Sequence, residues 1–309
     1  MKQKIILAGG TGFLGGALAR HFSARNWDVV VLTRHPSPRT DGVREVSWDG
    51  ETVGAWSQQL DGADAIVNLC GKSVDCRFTS ANRKLLLESR TRPTQAIGQA
   101  IAQCKTPPRV WLNSSSASLY KHTFDTAMDE EGVQGATPEA KDEFLIELIH
   151  QWEGAFNAVQ TPRTRKVALR TTMVLGHGRN SVFPLLRRLT RLGLGGRMGS
   201  GRQFVAWIHV EDFCRAVEWA IGHEALSGPV NLAAPQPLPQ AEMMRLFREA
   251  CGMPFGLPAF AWMLEIGTFL LQKEAVLILK SHRVIPGQLL ASGFTFRFPS
   301  FREALASLM

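Results

Sequence analysis

Apolar positions in this chain alternate between two patterns. Short, nearly unbroken apolar runs occur at Lys4–Ala8, Asp28–Thr33, Val43–Ser47, Ala65–Leu69, Val110–Ser114 and Lys166–Arg170. Runs of that length, rich in Val, Ile and Leu, are what strands covered on both faces require. Between them lie stretches with helical spacing, Gly12–Arg25, Ala81–Gln103 and Glu139–Val159. Strand and helix in alternation predict an α/β fold with a doubly wound parallel sheet. After Arg170 the pattern changes. Residues 176–204 are rich in Gly and Arg, a helical segment returns at Glu211–Gly222, and Val230–Leu232 reads as one more strand. From Pro235 onward the chain is mostly helical with Pro breaks. The expected organisation is a main domain over residues 1–230 and a mostly helical C-terminal lobe over 231–309. Residues 175–205 are expected to contribute to that smaller, substrate-side lobe.

The first strand runs directly into Gly9-Gly10-Thr11-Gly12-Phe13-Leu14-Gly15 and then into the first helix. Gly9 allows the sharp turn, Gly12 lets the backbone approach a pyrophosphate, and Gly15 lets the helix pack closely on the strand. The helix N-terminus faces the negative charge. A turn that merely joins two elements explains three glycines at this spacing poorly. The segment therefore predicts a Rossmann-type dinucleotide site, with Gly9, Thr11, Gly12, Phe13 and Leu14 as candidate cofactor contacts.

Composition changes this picture little. A net charge of +8 is spread over scattered Lys and Arg, with no basic stripe interleaved with aromatics. That argues against a nucleic-acid binder, while a basic cleft suits a phosphate-bearing ligand. Five cysteines with no Cys-x-x-Cys point away from a disulfide framework or zinc knuckle and towards a reducing cytoplasm. No metal site is expected. The N-terminus enters a strand at once, so no signal peptide is expected. The apolar stretch Leu257–Leu271 contains Glu265 and is too short for a membrane span. It reads as a buried or partner-facing helix. Trp152, Trp262 and the C-terminal Phe residues are expected in the core.

The tip of the second strand selects between dinucleotides. An NAD-selective site places a carboxylate there, against the ribose hydroxyls. Here the strand ends Thr33-Arg34-His35, and Arg34 offers a planar cation to a 2′-phosphate. NADP(H) is therefore favoured over NAD(H), with Thr33 adding a hydroxyl. Further cofactor contacts are expected at later strand ends: Leu69 and Gly71 after the fourth, Ser114 on the fifth, and Arg170 and Thr171 on the sixth.

Together these residues resemble the extended and atypical branches of the short-chain dehydrogenase/reductase superfamily. The segment Leu192–Arg202, Trp207-Ile208-His209-Val210-Glu211-Asp212, Arg283-Val284-Ile285-Pro286 and Gly293-Phe294 narrow the likeness to YfcH-like epimerase family proteins. The resemblance implies a Rossmann fold, NADP binding, and a C-terminal domain of uncertain role. It also implies dimerisation through the two long helices Ala81–Gln103 and Glu139–Val159. Superfamily chemistry uses a Ser, a Tyr acid/base and a Lys. Ser114-Ser115-Ser116-Ala117-Ser118-Leu119-Tyr120 matches the serine segment and gives Ser116 the serine role. The Tyr-x-x-x-Lys pair is not matched, because the single tyrosine, Tyr120, belongs to the serine segment. Lys141, with Thr137 four residues before it, and Glu143 with Glu147 are the residues that fall at its place.

Any chemistry then needs a substitute proton carrier, for which Tyr120, His209 and Glu143 are the candidates. His209 reads equally well as a structural residue bonded to Glu211 or Asp212. The Gly- and Arg-rich stretch 192–202 reads as a flexible loop on the substrate side. There Arg202 would meet a phosphate or carboxylate and Trp207 would offer a flat face. Two functions follow. One is an NADP(H)-dependent oxidoreductase or epimerase acting on a small, phosphorylated or nucleotide-conjugated substrate. The other is a non-catalytic NADP(H)-binding sensor or interaction module.

Overall fold

The computed structural model describes residues 2–309. The six runs form strands β1 (Lys4–Ala8), β2 (Asp28–Thr33), β3 (Arg44–Ser47), β4 (Ala65–Asn68), β5 (Val110–Ser116) and β6 (Arg165–Thr171). Four short or late strands follow: β7 (Met173–Leu175), β8 (Phe204–Val205), β9 (Trp207–His209) and β10 (Gly228–Leu232), with β11 (Leu238–Pro239) last. The main sheet is all parallel in the order β10-β6-β5-β4-β1-β2-β3. Its strand order reverses between β1 and β4. The chain departs in opposite directions there, leaving a crevice beyond the strand ends.

Helices α1 (Phe13–Ser23), α2 (Ser80–Gln103), α3 (Glu143–Ala158), α4 (Val182–Leu189) and α5 (Val210–Gly222) come next in chain order. Alternate strand residues sort the sheet into two apolar layers. Ile5, Leu7, Val29, Val31, Val67 and Leu112 pack on the side of α1 and α5. Ile6, Val30, Ile66 and Trp111 pack on the side of α2 and α3. That two-sided burial is the reason the strands were legible as unbroken apolar runs.

The C-terminal lobe contains α6 (Gln240–Cys251), α7 (Ala261–Leu270), α8 (Val276–Leu279), α9 (Gly287–Ala291) and α10 (Phe301–Leu308). Phe183 of α4, Met244 and Phe247 of α6, and Phe301 and Leu305 of α10 close a separate core around Trp207. No helix among the described residues is long and apolar enough to cross a membrane.

Three expectations are corrected. α3 starts four residues late, because Lys141 is left-handed (φ +53°) and buried Asp142 occupies the N-cap. The stretch 192–202 is a pinned segment. Its backbone bonds run Leu257 N to Gly193 O (2.8 Å), Ala259 N to Arg197 O (2.9 Å) and Ala241 N to Gly201 O (2.9 Å). Trp152 is core, but Trp262 is 62% exposed, and Phe255, Phe260 and Phe269 are exposed with it.

Candidate functional site

At the crevice between β1 and β4, the glycine turn is shaped by three different constraints. Gly9 is left-handed (φ +70°), and a Cβ there would meet the Cys70 backbone at 3.1 Å. A Cβ on Gly15 would lie 2.6 Å from the Gly10 carbonyl, so α1 sits directly on the turn. A Cβ on Gly12 would meet nothing within 4 Å, so it would project into open space. Gly12 is also the N-cap of α1 and provides no side chain to satisfy the first-turn N–H groups. Exposed backbone donors at the positive end of a helix dipole, facing open space, fit a pyrophosphate.

From this turn a cleft of about 540 Å³ runs along Gly9, Thr11, Gly12, Thr33, Arg34, Leu69 and Gly71. The structure thus brings seven of the residues singled out for a cofactor together on one surface. It adds walls that no motif announced: Trp48–Glu51 after β3, and Leu85, Glu88 and Ser89 of α2. The cleft carboxylates are engaged. Asp49 accepts from Glu51 N, Thr52 N and Thr52 Oγ1. Glu51 and Glu88 both pair with Arg92. Arg34 makes no ion pair or side-chain hydrogen bond among the described residues, and it stands in this cleft as an exposed cation. Burial pushes the Cys70 thiol up to about 12, so that wall is neutral.

Behind the cleft, a buried amide network ties the end of β4 to the middle of β5. Asn68 Nδ2 donates to Asn113 Oδ1 (2.7 Å) and to Thr94 Oγ1 (3.1 Å), and Asn68 Oδ1 accepts from Cys70 N (3.1 Å). These groups have no solvent, so each requires its partner. One Asn in each of two neighbouring apolar runs, Asn68 and Asn113, was the available signal for it. Phe13 turns away from the cleft and packs against Gly176 and Gly178. Leu14 is partly buried against the same core.

The sixth-strand end behaves differently from expectation. Thr171 pairs in register with Ser116, on the α1 face. Arg170 points to the opposite face and is buried. Its Nε and Nη2 donate to Glu153 Oε1 and Oε2, each at 2.9 Å, and Nη1 donates to the Tyr120 phenol at 2.9 Å. The phenol donates in turn to Asn231 Oδ1 (2.8 Å), and Ser115 Oγ donates to Glu153 (2.5 Å). Tyr120 is therefore enclosed, with its pKa raised first by burial. Neither Arg170 nor Tyr120 reaches the cleft; both close a polar core.

His209 is likewise committed. Its Nδ1 accepts from Glu211 N (3.1 Å) as the N-cap of α5, and Nε2 lies 3.3 Å from Ser307 Oγ. Its ring sits 4.0 Å from that of Phe298, and burial lowers its pKa. Trp207 is fully buried and donates to Gln236 O (3.0 Å), so it offers no face to a ligand. Arg202 is exposed with its guanidinium 5.5 Å from the Phe124 ring centroid. Glu143 and Glu147 are exposed on α3.

What lies against the serine turn is a residue pair that sequence reading missed. Ser116 Oγ accepts from Ser118 N (3.2 Å). Lys280 Nζ, from the C-terminal lobe, lies 2.5 Å from Ser118 O and 2.5 Å from Asp142 Oδ2. Lys280 and Asp142 are both buried, and burial lowers the Lys280 pKa. His122 beside them accepts from Ser281 N (2.9 Å).

The protein-family model described as "NAD dependent epimerase/dehydratase family" matches residues 5–233, three quarters of the chain. The chain belongs to the NAD dependent epimerase/dehydratase family. A second model, a domain of unknown function named DUF1731, matches residues 259–308. Among family relatives, an epimerase family protein of Mycobacterium leprae is 33% identical over 99% of this chain and 95% of its own length. The epimerase family protein SDR39U1 of Bos taurus is 31% identical over 99% and 100%. The crystal structure of human SDR39U1 with NADPH superposes with a TM-score of 0.86 at 29% identity, covering 99% of both chains. MoeE5, solved with UDP-glucuronic acid and NAD, has a TM-score of 0.76 at 21% identity over 99% of this chain and 97% of its own, a likeness of fold.

Proposed function

We propose that this protein binds NADP(H) in the β1/β4 crevice and acts as an oxidoreductase or epimerase on a small polar substrate, a phosphorylated or nucleotide-conjugated molecule. The observation that carries the cofactor choice is Arg34, a cation without a carboxylate partner at the tip of β2, in a cleft whose acids are already bonded. Human SDR39U1, similar over the full length, was solved with NADPH, which supports the reading.

When bound, the nicotinamide supplies or accepts a hydride. The chain's own residues bind and orient. The first-turn N–H groups of α1 hold the pyrophosphate, and Arg34 holds the 2′-phosphate. Ser116 orients the reacting oxygen of the substrate. The Lys280–Asp142 pair holds a proton beside the serine turn, at the ammonium 2.5 Å from Ser118 O. Tyr120 and His209 serve as structural supports.

Calorimetric titration with NADPH and NADH tests the reading. NADPH is expected to bind at least about tenfold more tightly, the value of one charge-assisted contact of roughly 1.5 kcal/mol. Arg34→Ala is expected to remove that preference. Equal binding of the two, or a preference for NADH, refutes it. The second reading, a non-catalytic NADP(H)-binding module, is favoured by the enclosure of Tyr120 and His209. It predicts the same titration with no turnover of NADPH against any carbonyl or nucleotide-sugar substrate.

A further inference from the structure

Three Lys and Arg side chains are buried among the described residues: Arg90 of α2, Arg170 of β6, and Lys280. A charge taken out of water requires a counter-charge beside it. Arg170 has Glu153, and Lys280 has Asp142. Arg90 has no carboxylate partner among the described residues. Its guanidinium donates to two carbonyls, Nη1 to Leu86 O (2.9 Å) and Nη2 to Lys72 O (3.0 Å), and lies 5.1 Å from the ring centroid of Trp152. The acid two residues before it, Glu88, is paired with Arg92. Burial lowers the Arg90 pKa to about 10, which leaves it charged at neutral pH.

This unpaired cation stands at the cofactor crevice. A Cβ on Gly71 would lie 3.4 Å from Arg90 Cζ, and a Cβ on Gly9 would meet the Cys70 backbone at 3.1 Å. Cys70 and Gly71 thus bridge the guanidinium and the glycine turn. Leu85, Glu88, Ser89 and Pro93 of the same helix line the cleft, as do Gly71 and Lys72. Arg90 lies directly behind that wall. Ser89 Oγ accepts from Lys72 N (2.9 Å) while Arg90 holds Lys72 O, so consecutive residues of α2 fix both backbone groups of one wall residue.

A buried charge acts beyond contact distance, because the medium around it screens weakly. Opposite unit charges about 10 Å apart, at an effective dielectric of about 20, attract enough to shift a binding constant roughly tenfold. The first-turn N–H groups of α1 and the free Arg34 already suit the crevice to phosphates. Its acids Asp49, Glu51 and Glu88 are engaged with other partners. A phosphate bound there supplies the anion that the fold does not.

We infer that Arg90 is a positioning residue of the dinucleotide site, a buried guanidinium whose counter-ion is a phosphate of the bound cofactor instead of a carboxylate of the chain. The inference rests on the reading of the crevice as a dinucleotide site and not on the choice of dinucleotide. Calorimetric titration of the full chain at pH 7 with NADPH and with NADH tests it, alongside melting curves of the cofactor-free protein. Arg90→Met is expected to weaken both dinucleotides about tenfold and to leave their ratio unchanged, whereas Arg34→Ala changes the ratio. No carboxylate is stranded by the substitution, so the cofactor-free Tm is expected to hold or to rise. Arg90→Lys keeps the charge without the planar fork, and is expected to bind both within about threefold of wild type. Met and Lys variants that weaken binding equally would assign the effect to the fork that holds Lys72 O, and overturn the inference. A Met variant with wild-type affinity overturns it too, as does one whose cofactor-free Tm falls by more than about 5 °C. Equal binding of NADPH and NADH by the wild type refutes the Arg34 reading alone, and Arg90→Met must then still weaken both. A wild type that binds neither overturns both readings.

Discussion

Replacing Arg170 by Met separates a structural role from a cofactor role. The side chain is 4% exposed and makes both halves of a bidentate pair with Glu153, whose side chain is 13% exposed. It also supplies the donor to the Tyr120 oxygen. Methionine fills much of the volume but leaves Glu153 charged and facing only Ser115. Removing one member of a buried pair costs about 3–5 kcal/mol, because the remaining charge is stranded. At roughly 2.1 cal/mol/K per residue, unfolding 309 residues carries an entropy of about 0.65 kcal/mol/K. The expected fall in Tm is therefore about 5–8 °C by differential scanning calorimetry. Adding Glu153→Gln removes the stranded charge and is expected to recover part of that loss, a coupling measurable as a double-mutant cycle. Cofactor affinity, measured below the new Tm, is expected to stay within about threefold, since Arg170 does not line the cleft. A Tm within about 2 °C of wild type refutes the burial argument. A normal Tm with tenfold weaker NADPH binding would restore Arg170 to the cofactor site.

Two glycines three residues apart are expected to fail differently. Gly15→Ala forces a methyl into the Gly10 backbone and should destabilise by at least ~1–3 kcal/mol, read as a lowered urea midpoint. Gly12→Ala adds a methyl that meets no protein atom within 4 Å, so the midpoint should hold while NADPH affinity falls at least about tenfold; unchanged affinity would place the phosphates elsewhere. The acid limb of stability should depend on His282, whose pKa burial depresses to about 3, with Lys280 adding to the effect. The unfolded chain protonates near 6.5 and the folded chain does not. Stability conferred by the neutral imidazole is therefore full above 6.5 and is lost as pH falls towards 3. His282→Gln should flatten urea stability across that window, by up to ~1.4 kcal/mol per pH unit; an identical slope counts against it.

Local pattern was sufficient wherever burial on both sides dictated composition. β1 and β2 begin and end where their apolar runs do, and the glycine turn lies between them. The cleft walls Trp48–Glu51 and Ser89 carry no motif, because loops and a helix flank supply them through topology alone. Arg170, Trp207 and His209 share a different difficulty. Each has the chemistry of a ligand-binding residue, and each is consumed by distant partners: Glu153, Gln236 and Ser307. Trp262 is the converse, an aromatic whose composition predicts a core while its helix faces outwards. The start of α3 failed for a local reason, since the left-handed Lys141 interrupts a sequence of good helix formers.

The carboxylate of Glu130 accepts from Asn231 N at the end of β10 (2.8 Å) and from Gln288 N of α9 (3.0 Å). Beside it Met128 N donates to Arg283 O and Met128 O accepts from Ile285 N, and Lys280 reaches Asp142. Residues 128–142 thus form a clasp that belongs by sequence to the larger family match and by bonding to the smaller one. The two parts are not modules that could be recombined freely. A chimera that imports the last fifty residues of a relative must bring a lysine at the place of Lys280 and a backbone donor at the place of Gln288, or it leaves buried Asp142 without its cation and Glu130 with Asn231 N alone.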